Sequence, residues 1–187
     1  MKIPTSFSPD GAYLAYWVQG DPKTGSDIWI LPDPLGAPGT SKPYPFLRTE
    51  FNEQAPQFSP DGHWIAYQSN ESGRYEVYVA LFPGPGGKRQ VSPAEGTLPR
   101  WRADGKELFY RAAGNRLMAA EVDTKGGAFE VKKVEPLVGP MVGPTGSDYY
   151  DVSADGQRFL TLVPVEGKTD TPLTVVQNWT AGLKSGK

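Results

Sequence analysis

The chain has 187 residues, 19 basic and 21 acidic for a formal net charge of −2, with 12% aromatics, 22 glycines, 19 prolines and no cysteine. That length suits one domain, two at most, with a sizeable core. The balanced charge argues against a nucleic-acid binder, which carries a basic patch or stripe, and the lack of cysteine excludes disulfides, a thiolate nucleophile and Cys-ligated zinc. The opening Met1-Lys2-Ile3-Pro4 has no apolar signal-peptide core, and no run approaches the roughly 18 apolar residues of a membrane span. The expectation is a soluble chain with no membrane insertion and no assigned compartment.

In chain order, the first unit is a short strand ending at Phe7, the turn Ser8-Pro9-Asp10-Gly11, a strand through Leu14-Ala15-Tyr16, a turn-rich linker over 20–25, a second apolar run over 26–31 and an outer strand near Tyr44–Leu47. The second unit repeats it: Phe58-Ser59-Pro60-Asp61-Gly62, then Ile65-Ala66-Tyr67, a linker over 69–73, a run over 75–82 and an outer strand near 89–92. The third has Trp101-Arg102-Ala103-Asp104-Gly105, Leu108-Phe109-Tyr110, a run over 115–122 and an outer strand near 129–134. Pro136, Pro140 and Pro144 then mark the connection over 138–146, since proline removes a ladder donor. The fourth unit has Val152-Ser153-Ala154-Asp155-Gly156, Phe159-Leu160-Thr161 and a run over 172–179, with no outer strand before a polar tail at 181–187.

The Asp-Gly pairs stand 51, 43 and 51 residues apart, a period of the kind that marks propellers and other repeat arrays. Asp-Gly suits a tight hairpin: glycine accepts positive φ, and aspartate bonds its own downstream amide. The strand after each turn is apolar at both parities, as expected when sheets stack face to face around an axis. The predicted fold is an all-β propeller of four-stranded antiparallel blades, one domain over 1–180 with blades at about 1–47, 55–93, 98–137 and 149–179.

The stretch Ala55-Pro56-Gln57-Phe58-Ser59-Pro60-Asp61-Gly62-His63-Trp64-Ile65-Ala66-Tyr67 resembles the TolB-like/WD40-like (PD40) β-propeller repeat, and the resemblance extends over nearly the whole chain, with Ala replacing Pro in the third and fourth copies. The end, Tyr150-Asp151-Val152-Ser153-Ala154-Asp155-Gly156 with Leu173-Thr174-Val175-Val176-Gln177-Asn178-Trp179, is similar to propellers attached to bacterial serine/threonine protein kinases. None of a kinase's own motifs is present. The resemblance implies a sensory or protein-interaction module, with a protein or peptide partner. Propellers of that type generally have six or more blades, so four leave three arrangements: two chains joined in an eight-bladed ring, one chain closing a four-bladed ring, or a fragment associating less regularly. The missing outer strand favours the homodimer, because a second chain can add a strand to an open edge.

Candidate site residues come from the inner strands. Two residues before each Asp stand Ser8, Ser59, Arg102 and Ser153; four before stand Ser6, Gln57, Arg100 and Asp151. Their shared polar parity makes Gln57, Arg100, Arg102 and Asp151 candidate ligand-binding residues at a central channel, where two arginines suit a bidentate grip on an anion. The bland alternative is an Arg–Asp pairing that satisfies strand ends. No cofactor is required. Asp151 with the nearby Asp148 leaves a calcium-type site open, and with it a metal-dependent hydrolase of esters, lactones or phosphotriesters. The single histidine, His63, follows an Asp-Gly and reads as an exposed turn residue; no Gly-x-Ser-x-Gly elbow accompanies it.

Overall fold

The computed structural model describes residues 1–37, 39–84, 86–138, 150–162 and 173–177. It consists of four antiparallel sheets, each built from consecutive strands. Blade 1 holds β1 (Lys2–Phe7), β2 (Tyr13–Asp21), β3 (Gly25–Pro32) and β4 (Tyr44–Leu47). Blade 2 holds β5 (Glu53–Phe58), β6 (Trp64–Ser69), β7 (Glu76–Leu81) and β8 (Arg89–Gln90). Blade 3 holds β9 (Gly96–Trp101), β10 (Glu107–Ala112), β11 (Arg116–Asp123) and β12 (Glu130–Val138). Blade 4 shows β13 (Tyr150–Val152), β14 (Arg158–Leu162) and β15 (Leu173–Gln177) among the described residues.

Strand register decides which neighbour each side chain meets. Phe7 pairs with Leu14, Phe58 with Ile65, Trp101 with Leu108 and Val152 with Phe159. In blades 2, 3 and 4 these pairs face the preceding blade. Phe58, Ile65 and Tyr67 share a core with Ala15, Ile28, Ile30 and Phe46 of blade 1. Leu108 and Tyr110 share one with Trp64, Ala66, Val77 and Val79 of blade 2, with Trp101 packed against it. Phe159 and Tyr150 pack with Phe109, Leu117, Ala119 and Leu137 of blade 3, with Val152 against them. The alternate positions, Ala15, Ala66 and Phe109, face the following blade. We call the two sides of a blade leading and trailing. The hydrophobic effect therefore acts between blades more than within them, and edge-to-face ring pairs across the interfaces, Tyr13–Phe82 at 5.0 Å and Phe109–Phe159 at 5.1 Å between centroids, add to it.

Each of the first three innermost strands carries a register shift near its start, between Pro4 and Ser6, between Gln54 and Gln57, and opposite Phe109 and Arg111. In blades 2 and 3 the bulge puts Ala55 at φ 52° and Leu98 at φ 54°, a left-handed conformation uncommon outside glycine. Two sequence expectations are corrected. Pro136 lies inside β12, opposite Met118, where an outer-edge strand tolerates a missing donor. Leu160 is 40% exposed, where the repeat predicts a strand covered on both faces, because among the described residues no blade packs against that side of blade 4. The ring is not closed within this chain. Among the described residues no helix is long and apolar enough to cross a membrane.

Candidate functional site

The four Asp-Gly turns share one construction. Gly11, Gly62, Gly105 and Gly156 sit at φ 71–73°, and each amide bonds the carbonyl three residues back, at 2.8–2.9 Å. In three turns a serine completes the unit. Ser8, Ser59 and Ser153 donate to Asp10, Asp61 and Asp155 at 2.5 Å and accept the amides of Tyr13, Trp64 and Arg158 at 2.9–3.0 Å. The aspartate takes the amide two residues on, at 3.0 Å. These bonds hold the carboxyls of Asp10 and Asp155 below the usual carboxylate range. In the third turn Arg102 replaces serine and grips Asp104 with two bonds of 2.7 Å, while its third nitrogen reaches Glu107 at 2.7 Å. Arg102 thereby lowers the pKa of Asp104, and its own is raised by the same bonds.

The row four residues before each Asp lies on the inner strands and is spent largely on stitching blades together. Ser6 Oγ accepts the amide of Phe58 at 3.1 Å, and Gln57 Nε2 donates to the Thr5 carbonyl at 3.3 Å. Thr5 Oγ1 donates to the Pro56 carbonyl at 2.8 Å, Trp101 Nε1 to the Gln57 carbonyl at 3.2 Å, and the Tyr150 hydroxyl to the Leu98 carbonyl at 3.0 Å. Arg100 is half-buried, donates to the Pro99 carbonyl at 2.9 Å and stands 5.9 Å from the centre of the Tyr150 ring. Burial of Tyr150 raises its pKa. Asp151 is exposed and accepts the amide of Val152 at 2.9 Å. Of the four candidates, then, Arg102 sits at a turn with two carboxylates, Gln57 and Arg100 touch neighbouring inner strands, and Asp151 faces solvent. Asp148 lies outside the described residues. His63 is exposed and lines a cleft of about 220 Å³ with Ser8, Asp10, Tyr13, Asp61 and Phe82, between the turns of blades 1 and 2.

A second polar cluster, at the opposite end of the strands, was missed by sequence reasoning. Asp27, Glu53 and Glu76 are each only 2% exposed. Asp27 and Glu76 occupy equivalent registers, opposite Val18 and Ser69. Glu76 is fully partnered: Arg74, Tyr78 and Gln90 all donate to it, at 2.9 Å each. Asp27 and Glu53 are not. Thr24 donates to Asp27 at 2.8 Å and Thr49 donates to Glu53, but Asp27 Oδ1 and Glu53 Oε2 are buried without a partner. Burial pushes the Glu53 carboxyl up to about 7, Thr49 opposes this, and the charge of Asp27 adds to the rise. Beside them runs a relay across three blades: Gln54 Nε2 to Ser26 Oγ at 3.0 Å, Gln68 Nε2 to Gln54 Oε1 at 3.1 Å, and the Leu98 amide to Gln68 Oε1 at 2.9 Å. The signal available was an acid inside an apolar run, at the start of both 26–31 and 75–82. Among the described residues no three His, Asp or Glu side chains form a metal-ligating group.

No protein-family profile matches the sequence, and no curated protein does. Solved structures match strongly in fold. A TolB from Acinetobacter baumannii is 13% identical with a TM-score of 0.56, over 95% of this chain and 52% of that one. A Mycobacterium tuberculosis puromycin-hydrolyzing peptidase is 19% identical with a TM-score of 0.62, over 97% of this chain and 28% of that one. A β-propeller domain from Myceliophteria thermophila is 15% identical with a TM-score of 0.58, over 96% of this chain and 59% of that one. The chain spans about half the length of the TolB structure. Its four sheets have the fold of β-propeller blades, as in the TolB structure.

Proposed function

We propose that this chain is a non-catalytic interaction or ligand-sensing module, carried on one propeller domain over residues 1–180 whose ring is completed by a second copy. The observation that supports this reading best is the fate of the inner-strand polar groups. Arg102 is neutralised by Asp104 and Glu107, Gln57 bonds a neighbouring strand and Arg100 stands over the Tyr150 ring of the next blade, so the wall offers shaped surface and a few separated charges. Such a surface suits recognition of a protein segment or peptide; acid–base chemistry needs its groups within hydrogen-bond reach of one reacting atom. The sequence resemblance to TolB-like and kinase-attached propellers implies the same role. Gln57, Arg100, Arg102 and Asp151 are the residues proposed to meet the ligand.

The rival is a metal-assisted hydrolase using Asp151 and calcium, for which the exposed carboxylate of Asp151 speaks. A peptide-library selection followed by calorimetry, run beside ester, lactone and phosphotriester assays with and without calcium, separates the two. Peptide binding weakened by Arg100→Ala, with no metal-dependent turnover, is expected. Calcium-dependent turnover abolished by Asp151→Asn overturns the module reading.

A further inference from the structure

Equivalent positions differ sharply in exposure between the inner blade interfaces and the two ends of the chain. Phe58 is 6% exposed, and its equivalent in blade 1, Phe7, is 51% exposed. Ala15, Ala66 and Phe109 are 0% exposed, and their equivalent in blade 4, Leu160, is 40% exposed. Each exposed residue lies on a face that the repeat covers elsewhere: Phe7 on the leading face of blade 1, Leu160 on the trailing face of blade 4. Pro4, Leu14, Tyr16 and Leu31 share the leading face and line an apolar hollow of about 210 Å³.

We propose that the leading face of blade 1 is the docking site for the trailing face of blade 4 from a second copy of this chain, Phe7 against Leu160, twice over in a head-to-tail pair. This rests on the reading that a second copy completes the ring, and it names the surfaces. The occupant is argued from continuity with the interfaces already formed. All three inner interfaces bring the equivalents of Phe7 and Leu160 into one cluster: Phe58 with Ala15, Trp101 with Ala66, Val152 with Phe109. Because both faces are exposed in the same chain, its own blade 4 does not cover blade 1. A polar pairing follows the same equivalence. Ser6 Oγ accepts the Phe58 amide across the first interface, and Asp151 stands where Ser6 does, so its exposed carboxylate is offered to the Phe7 amide of the second copy. A leading-to-trailing contact is heterologous, and it yields a closed assembly when the rotation closes.

Light scattering and sedimentation of the full chain test this, with Phe7→Lys and Leu160→Glu as separate variants and as an equimolar mixture. Both residues are solvent-exposed in the single chain, so circular dichroism is expected to match wild type. The expected result is a wild-type mass of twice 20.3 kDa, at least a tenfold weaker association for each variant alone, and a pair again on mixing, since one natural interface then survives and the other joins Lys to Glu. A wild-type monomer at every concentration overturns both this docking and the second-copy reading. A dimer indifferent to Leu160→Glu, or variants that fail to complement, overturns the docking alone and leaves self-association standing through another surface.

Discussion

Strands β6 and β2 carry one sequence pattern and meet two fates. All six residues of β6 are buried, because blade 2 has a neighbour on each side. In β2 the trailing residue Ala15 is buried while Leu14 on the leading face is only half covered. The same holds at the other end, where Phe109 is enclosed and Leu160 is not. A repeat thus encodes the strand, its register and the polarity of each face. It does not encode whether a face is covered, which depends on what stands next in space.

The largest effect expected from this contrast is between equivalent positions. Phe109→Ala removes a ring packed edge-on against Phe159 and should cost about 3–5 kcal/mol, as truncation of a core aromatic does. Leu160→Ala in the monomeric chain should stay within about 0.5 kcal/mol. Denaturant unfolding at low protein concentration measures both. Equal losses would break the comparison, by showing Leu160 to be packed within its own chain.

The next effect contrasts two acids in the polar cluster, the satisfied Glu76 and the under-partnered Glu53. Glu53 is raised from an ordinary 4.5 to about 7, so between these values the folded state holds a proton the unfolded state has lost. Stability from this group is full below about pH 4.5 and falls as pH rises through about 7, reaching a loss on the order of 3 kcal/mol. Glu53→Gln, which stays neutral, should flatten that decline: little changed at pH 4, more stable than wild type at pH 8. Glu76→Gln should not show this pattern: burial raises the Glu76 carboxyl too, but its bonds to Tyr78, Ser72 and Arg74 together outweigh that and hold it below its ordinary value. Urea titrations across pH 4–8 decide it, and an unchanged slope in Glu53→Gln would show the carboxyl to be charged in the folded state.

Smaller still is the turn comparison. Ser59→Ala deletes one bond to Asp61 and one from the buried Trp64 amide, for an expected loss of about 1–2 kcal/mol. Ser153→Ala, at a half-buried turn on the outermost blade, should cost less. Thermal unfolding of the two variants ranks them.

The architecture was legible because its determinants are local. Asp-Gly forces the hairpin, and apolar residues at both parities over Ile65-Ala66-Tyr67 mark a strand buried on both sides. Site geometry was not, because parity along a strand says which residues share a face and nothing of what crosses the gap between blades. Arg102 and Arg100 looked alike as inner-strand cations. One is drawn into its own turn by Asp104 and Glu107, and the other reaches across to Tyr150. The pairing of Ser6 with the Phe58 amide needs residues 52 apart. Asp27 and Glu76 were passed over for a related reason: an acid in an apolar run reads as a surface residue until its strand is placed between two sheets.

The smallest expected effect sharpens the turn comparison and tests the candidate site together. Arg102→Ser installs in the third turn the residue the other three use. It loses ion pairs to Asp104 and Glu107 that are partly open to solvent, contacts typically worth about 0–1 kcal/mol each. It gains a hydroxyl placed to donate to Asp104 and to accept the Glu107 amide, the counterpart of the Trp64 amide that Ser59 accepts. The net change should be within about 0.5 kcal/mol, and smaller than that of Arg102→Ala, which makes the same loss without the replacement bonds, at about 1 kcal/mol. Salt should narrow the gap between wild type and Arg102→Ser, since screening weakens only the ion pairs. A stability-neutral Arg102→Ser that also abolishes peptide binding would assign Arg102 to the recognition surface. Unchanged binding would confine it to the turn, leaving Arg100 as the cation available to a ligand among the four candidates.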